Sequence, residues 1–177
     1  IGFGARVLEG VQGPGVSGPG DDAGAKYINT PQTPIYDKSS VLFGIDRAKQ
    51  DIRREGVAVV VEGYMDCLAS HQAGVRQVVA SSGTALTELQ VRLLKRFATT
   101  VVLAFDADAA GQEAARRGVA QALQQELLVK ILTLPRGKDP DELIRESPET
   151  WREAIAAAKP ALEHFFDRSF AGRVLTS

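Results

Sequence analysis

Four short runs of apolar, largely β-branched residues constrain this chain more than any other feature. They are "VAVVVE" (Val57 to Glu62), "RQVVAS" (strand over Gln77 to Ala80), "TVVLAF" from Thr100 and "LVKILTL" from Leu128. A strand with one face in water alternates apolar and polar residues, whereas these are apolar throughout, so both their faces are covered. Segments of helical period separate them. "SSVLFGIDRAKQDIRREG" predicts a helix from Ser39 with Val41, Leu42, Ile45, Ala48, Lys49 and Ile52 near one face and a glycine stop. "GYMDCLASHQAG" reads as a helix closed by Gly74, and "AGQEAARRGVAQALQQE" as another. "TELQVRLLKRF" puts Leu86, Leu89, Leu93, Leu94 and Phe97 on its buried side. "DPDELIRES" opens a short helix with Asp139 as N-cap and Pro140 in first position. Helical stretches over Pro148–Ala158 and Pro160–Phe170 follow. The expected fold is α/β, a roughly four-stranded parallel sheet flanked by helices.

In such sheets the site lies beyond the carboxyl ends of the strands. The first strand ends at Glu62, the third at Asp106 and Asp108, and the fourth runs into "PRGKDPDE" with Asp139, Asp141 and Glu142. The second ends in "SSGTALT", a loop suited to bringing backbone N–H groups against a ligand. Carboxylates gathered this closely repel one another, and a cation relieves the repulsion. Oxygen ligands without His or Cys select Mg²⁺ or Mn²⁺ over zinc. Such an ion leaves positions for phosphate oxygens, which points to phosphoryl or nucleotidyl transfer. Taken singly, an aspartate after a strand is also a helix N-cap, and Glu62 before Gly63 is also a turn residue. Their joint occurrence carries the reading.

Composition narrows the classes. The 177 residues suit one domain with a core, with room for a small second lobe, and 44% apolar with 24% charged content is ordinary for a soluble protein. A net charge of -1 excludes a nucleic-acid-binding tail, so polyanion binding requires a local patch. A single cysteine, Cys67, excludes an intrachain disulfide and a Cys-rich zinc site, and fits a reducing cytoplasm. No apolar run is long enough to span a membrane and no signal peptide is visible. Cys67 reads as a small buried hydrophobe, Met65 and Trp151 as packing residues, and His71 and His164 as surface or satisfied core histidines. Residues 1 to 36 are rich in Gly, Pro and turn signals, with short extended pieces at Ala5–Leu8 and Lys26–Ile28. Between these, residues 10–24 read as a flexible surface loop. The strand-like start without Met reads as a piece cut from a longer protein.

"VVVEGYMDCLASHQAG", "SSGTALTELQ", "FDADAAGQEAARRG" and "GKDPDELI", in this order and spacing, resemble the TOPRIM core of bacterial replicative primase. "IGFGARVL" and "AKYINTPQTPIYDKSSVLFGIDRAK" resemble the segment just before that core. The resemblance implies three parts. Residues 1–38 would be the C-terminal part of a mixed α/β N-terminal catalytic subdomain, 39–147 the TOPRIM core, and 148–177 the start of a C-terminal helical subdomain. It implies that Glu62, Asp106 and Asp108 bind metal and act in catalysis, with Asp139 and Asp141 lining the same pocket as further metal-binding acids and Asp66 supporting it. Arg6, Lys26, Tyr27, Asn29 and Lys38 match a basic and polar face that handles nucleotide and template. The implied activity is RNA primer synthesis from NTPs on a single-stranded DNA template. An RNA–DNA hybrid and a replicative helicase are further implied partners, the helicase through a C-terminal domain absent here. The implied location is the cytoplasm, at the replication fork in the nucleoid, with no membrane. Position 107 is Ala where the family commonly has Gly, and the loop at 10–24 is longer than usual. A TOPRIM topoisomerase or nuclease, a receiver-type phosphate-binding domain, and a fragment that binds metal without turnover remain as alternatives.

Overall fold

The computed structural model describes residues 4–6, 27–29, 31–34, 36–82, 85–106, 109–134 and 138–171, with backbone alone at 4–6, 27–29, 109 and 169–171. The chain divides into two compact units, Ile1–Lys38 and Ser39–Ser177. In the first, β1 (Gly4–Arg6) pairs antiparallel with β2 (Tyr27–Asn29), setting Arg6 opposite Tyr27 and Gly4 opposite Asn29. These strands fall within a residue or two of the expected extended pieces. The expected loop at 10–24, and Lys26, lie outside the described residues.

The second unit is a sheet covered on both faces. Its elements are α1 (Ile45–Glu55), β3 (Val57–Val61), α2 (Tyr64–Gln72), β4 (Val78–Ala80), α3 (Glu88–Lys95), β5 (Thr100–Ala104), α4 (Ala109–Gln124), β6 (Leu128–Ile131), α5 (Pro140–Glu146), α6 (Pro148–Ala156), β7 (Lys159–Pro160) and α7 (Ala161–Ala171). The strand order is β4-β3-β5-β6-β7. The first four strands are mutually parallel, as expected, and β7 adds an antiparallel edge that the sequence pattern does not announce. At the opposite edge Phe43 forms an antiparallel bridge to Ala80, its N–H and C=O each 3.0 Å from their partners. Short capping pieces thus close both edges, and Pro160 lacks the N–H that would extend one of them.

Alternate strand residues serve the two cores. Ala58, Val60, Val79, Val101, Leu103 and Ile131 pack with Ile52 of α1, Leu94 of α3 and Val119 of α4. Val59, Val61, Val78, Val102 and Ala104 pack on the other side with Cys67 of α2, Ile144 of α5 and Trp151 of α6. This two-sided burial is why the strands read as apolar throughout. Among the described residues, no helix is long and apolar enough to cross a membrane.

Two helices differ from expectation for identifiable reasons. The helix expected from Ser39 begins only at Ile45, because Gly44 takes a left-handed φ of 81° and Phe43 joins the sheet. A Cβ at Gly44 would lie 2.9 Å from Cys67 Sγ, so the turn needs glycine for space as well as conformation. In α3, Leu89 is exposed while Gln90, Val91 and Leu94 are buried. Gln90 is a capping device placed inside: its Oε1 accepts Thr87 N–H (3.0 Å), Thr87 Oγ1 accepts Gln90 N–H (3.2 Å), and Gln90 Nε2 donates to Val41 O (2.8 Å). Its polarity is satisfied, so the helix turns it inward.

Gln90→Leu should cost about 1–3 kcal/mol in chemical denaturation, because two part-buried backbone groups, Thr87 N–H and Val41 O, lose their partners. Leu89→Gln on the exposed face should change stability by less than about 0.5 kcal/mol. The reverse ranking would refute this placement of the helix.

Candidate functional site

β3 and β5 are neighbours in register, with Val61 opposite Ala104, so the residues that follow leave the sheet side by side. Glu62 is the first residue beyond β3, and Asp106 the second beyond β5. The structure joins them: Asp106 N–H donates to Glu62 Oε1 at 3.1 Å. The first turn of α4 folds back against the same point. A Cβ on Gly111 would stand 2.3 Å from Asp106 O and 2.9 Å from Glu62 Oε1, so only glycine lets α4 start this close. The adjoining end of β4 continues to Ser82, whose N–H donates to Glu62 O (3.1 Å). Ser82 has a φ of 65°, a left-handed conformation that costs a non-glycine residue free energy and is held here by burial and pairing.

Asp66 lies at the centre of the acidic cluster. It is buried in the first turn of α2, where Oδ2 accepts Gly63 N–H (3.0 Å) and Oδ1 accepts Asp141 N–H (3.2 Å). One carboxyl group therefore ties the start of α2 to the start of α5. Its pKa is pushed up to about 7, chiefly by burial and further by the negative charges of Asp106 and Asp139, against the two N–H bonds that favour ionisation. The structure thus brings Glu62, Asp66, Asp106 and Asp139 to one sheet edge.

Asp139 has a local role as well, and the remaining expected site residues are placed differently. Asp139 caps α5, its Oδ1 accepting Glu142 N–H at 2.8 Å. Asp141 is engaged by Arg145 one turn on, at 3.0 and 2.9 Å, so its side chain is paired as well as adjacent. Asp108 lies outside the described residues. Arg6, Tyr27 and Asn29 belong to the β1–β2 pair, and Lys38 is a half-buried turn residue of the first unit. Residue-type reasoning read the loop that holds Ser82 as facing a ligand, but passed over the conformation of Ser82 and the close approach at Gly111. Serine carries no mark of a left-handed φ, although the Ala-Gly-Gln sequence after an acidic strand end was a usable sign of close approach.

Two of the side chains read as bystanders are satisfied locally. His71 Nε2 donates to Val78 O (2.8 Å), and the Cys67 thiol, 3.4 Å from the same carbonyl, is pushed up to about 12 by burial. Trp151 is fully buried as a packing residue, and its indole N–H has no partner among the described residues.

Among the described residues, no group of three or more His, Cys, Asp or Glu is arranged to hold an ion. The donors that do converge are all carboxylate oxygens, the kind that suits a hard divalent cation. Like charge around Asp66 is what such a cation would relieve. Glu62 and Asp106 are the described carboxylates that could hold one, so the residues present fit a hard divalent cation in kind.

Without divalent metal, the raised Asp66 pKa has a definite consequence. The folded state holds this proton up to about pH 7, whereas an open chain releases it near pH 3.9. The folded state binds more protons between these values, so stability falls as pH rises from about 4 to about 7, by at most roughly 4 kcal/mol. Denaturation in chelator from pH 5 to 8 should show this decline, and Asp66→Asn should flatten it while lowering stability at pH 5. Parallel pH profiles for the two proteins would contradict the assignment.

The chain is similar to known proteins. Residues 59–144 match the family described as Toprim-like, and residues 1–49 match the N-terminal domain of the DNA primase catalytic core. A DNA primase of Clostridium acetobutylicum is 40% identical over 171 residues, covering 96% of this chain and 26% of that protein. A DNA primase domain from Pseudomonas aeruginosa superposes with a TM-score of 0.81 at 36% identity, covering 100% of this chain and 53% of that one. A DnaG primase catalytic domain bound to single-stranded DNA gives 0.77 at 36% identity, with 96% and 51% covered. The chain spans about a quarter of the length of the curated relatives it matches.

Proposed function

Because the chain belongs to the DNA primase family, we propose that it carries the nucleotidyl-transfer centre for RNA primer synthesis in chromosome replication. NTPs would be joined on a single-stranded DNA template. The observation that carries this reading is the Glu62–Asp106 junction at adjoining parallel strand ends. In the reaction, the 3′ oxygen of the growing RNA bonds to the α-phosphorus of an incoming NTP. The bond from that phosphorus to the β-phosphate oxygen breaks, pyrophosphate leaves, and the 3′-hydroxyl proton passes to a base. Mg²⁺ or Mn²⁺ held by Glu62, Asp106 and Asp108 would supply the positive charge that stabilises the triphosphate.

The chain's own residues set the geometry. The Asp106 N–H fixes the Glu62 carboxylate in one orientation, so Glu62 is positioned either as a ligand or as the proton acceptor. Asp66, through Gly63 and Asp141, holds the loops that present these groups. Asp139 and Asp141 would contribute charge at the pocket wall while capping and pairing locally. Arg6, Lys26, Tyr27, Asn29 and Lys38 would contact template and nucleotide phosphates, giving salt-sensitive, sequence-tolerant binding. We assign 39–147 to the TOPRIM core, with 1–38 and 148–177 as parts of flanking subdomains. The RNA–DNA hybrid and the replicative helicase are the further partners this reading entails, at the nucleoid in the cytoplasm.

Glu62→Gln and Asp106→Asn should each reduce NTP incorporation on single-stranded DNA on the order of a hundredfold or more and weaken Mn²⁺ binding. Both should leave single-stranded DNA binding near the wild-type level. Lys38→Ala should do the opposite, weakening DNA binding and its salt dependence while sparing Mn²⁺. Unchanged Mn²⁺ affinity in a folded Glu62→Gln, Asp106→Asn double variant would overturn the proposal.

A further inference from the structure

A cavity of about 410 Å³ opens between α4 and α7 over the carboxyl ends of β5 and β6, with Asp106 and Gly111 in its wall. Its floor is apolar, formed by Leu103, Phe105 and Ile131. Its sides are two helical pairs at i and i+4, Gln112 with Arg116 on α4 and His164 with Arg168 on α7. The pairs are fastened to each other and to the segment that follows β6. Arg168 Nη2 donates to Gln112 Oε1 (2.8 Å), and His164 Nδ1 lies 3.3 Å from Thr133 Oγ1. No carboxylate among the described residues forms an ion pair with Arg116 or Arg168.

We propose that this cavity is an oligophosphate subsite, in which Arg116 and Arg168 grip a di- or triphosphate chain that reaches in from the Asp106 end. Guanidinium groups match phosphate oxygens two at a time, and these two face one cavity from separate helices. The size falls within the range of small-ligand pockets. The choice of anion rests on the nucleotidyl-transfer reading, because that reaction brings in a triphosphate and releases pyrophosphate. Glu113 is the opposing charge on the same helix, exposed at the rim. His164 is held neutral by burial and by Arg168, its pKa lying below the ordinary value, so an anion beside it would draw a proton on.

The chain has only two histidines, so proton NMR of their ring C–H groups tests the subsite without any primer synthesis. Pyrophosphate added to the metal-free chain should shift the His164 signal saturably and leave His71, bonded to Val78 O, in place. Arg116→Ala and Arg168→Ala should each weaken that binding about tenfold or more. Glu113→Gln should tighten it. A nucleoside triphosphate that competes with pyrophosphate identifies the triphosphate tail as occupant. Pyrophosphate binding without such competition identifies the leaving group. Both results support the subsite. An unmoved His164 through the millimolar range, a sulfate response equal to that of pyrophosphate, or unchanged affinity in the Arg116→Ala, Arg168→Ala double variant would overturn it. Those failures leave the Glu62 and Asp106 assignment untouched, since that is read from Mn²⁺ binding and incorporation.

Discussion

The buried carboxyl group of Asp66 holds the acidic edge together. It accepts N–H groups from Gly63 and Asp141 and so joins the loop after β3 to the start of α5. That link sets where α2 and α5 begin, and thereby how the Glu62 and Asp139 segments meet Asp106. The cost is electrostatic: Asp66 is desolvated and faces two other carboxylates, which is why it resists ionisation up to about pH 7. A fold that accepts this cost at the ends of its central strands is arranged for a cation. The rest of the second unit, two apolar layers on a parallel sheet, holds those strand ends in register.

Much of this was legible in the residues. The unbroken apolar runs required a sheet buried on both faces, and the four parallel strands follow from that requirement. The strand-end rule then pointed to Glu62 and Asp106, which the structure brings within one hydrogen bond. Asp139 was readable as an N-cap from the Pro140 that follows it. What the residues concealed has physical causes. Gln90 looks like a surface residue until its three hydrogen bonds are known, and Leu89 looks like core for the same reason. β7 is two residues long and contains proline, so no periodicity could reveal it. Ser82 hides a strained turn behind an ordinary side chain.

The cavity between α4 and α7 shows the limit from another side. Arg116 and Arg168 are far apart in the chain and each sits on a helix of mixed charge, so neither stands out. Only the crossing of the two helices over β5 and β6 makes them a pair. The function proposed for the carboxyl edge thus combines a local pattern, visible as acids at strand ends, with a long-range arrangement visible only in three dimensions.

The central claim is that folding gathers these carboxylates at a divalent-cation site, and thermal unfolding at pH 8 tests it most directly. A ligand bound by the folded chain alone adds about 2.7 kcal/mol at a hundred times its Kd. For a chain of this size that corresponds to a rise of roughly 5–10 °C in melting temperature. Saturating Mg²⁺ should produce such a rise over chelator at matched ionic strength, and Asp106→Asn should abolish most of it. Equal melting temperatures with and without Mg²⁺ would mean the carboxylates are not gathered as described.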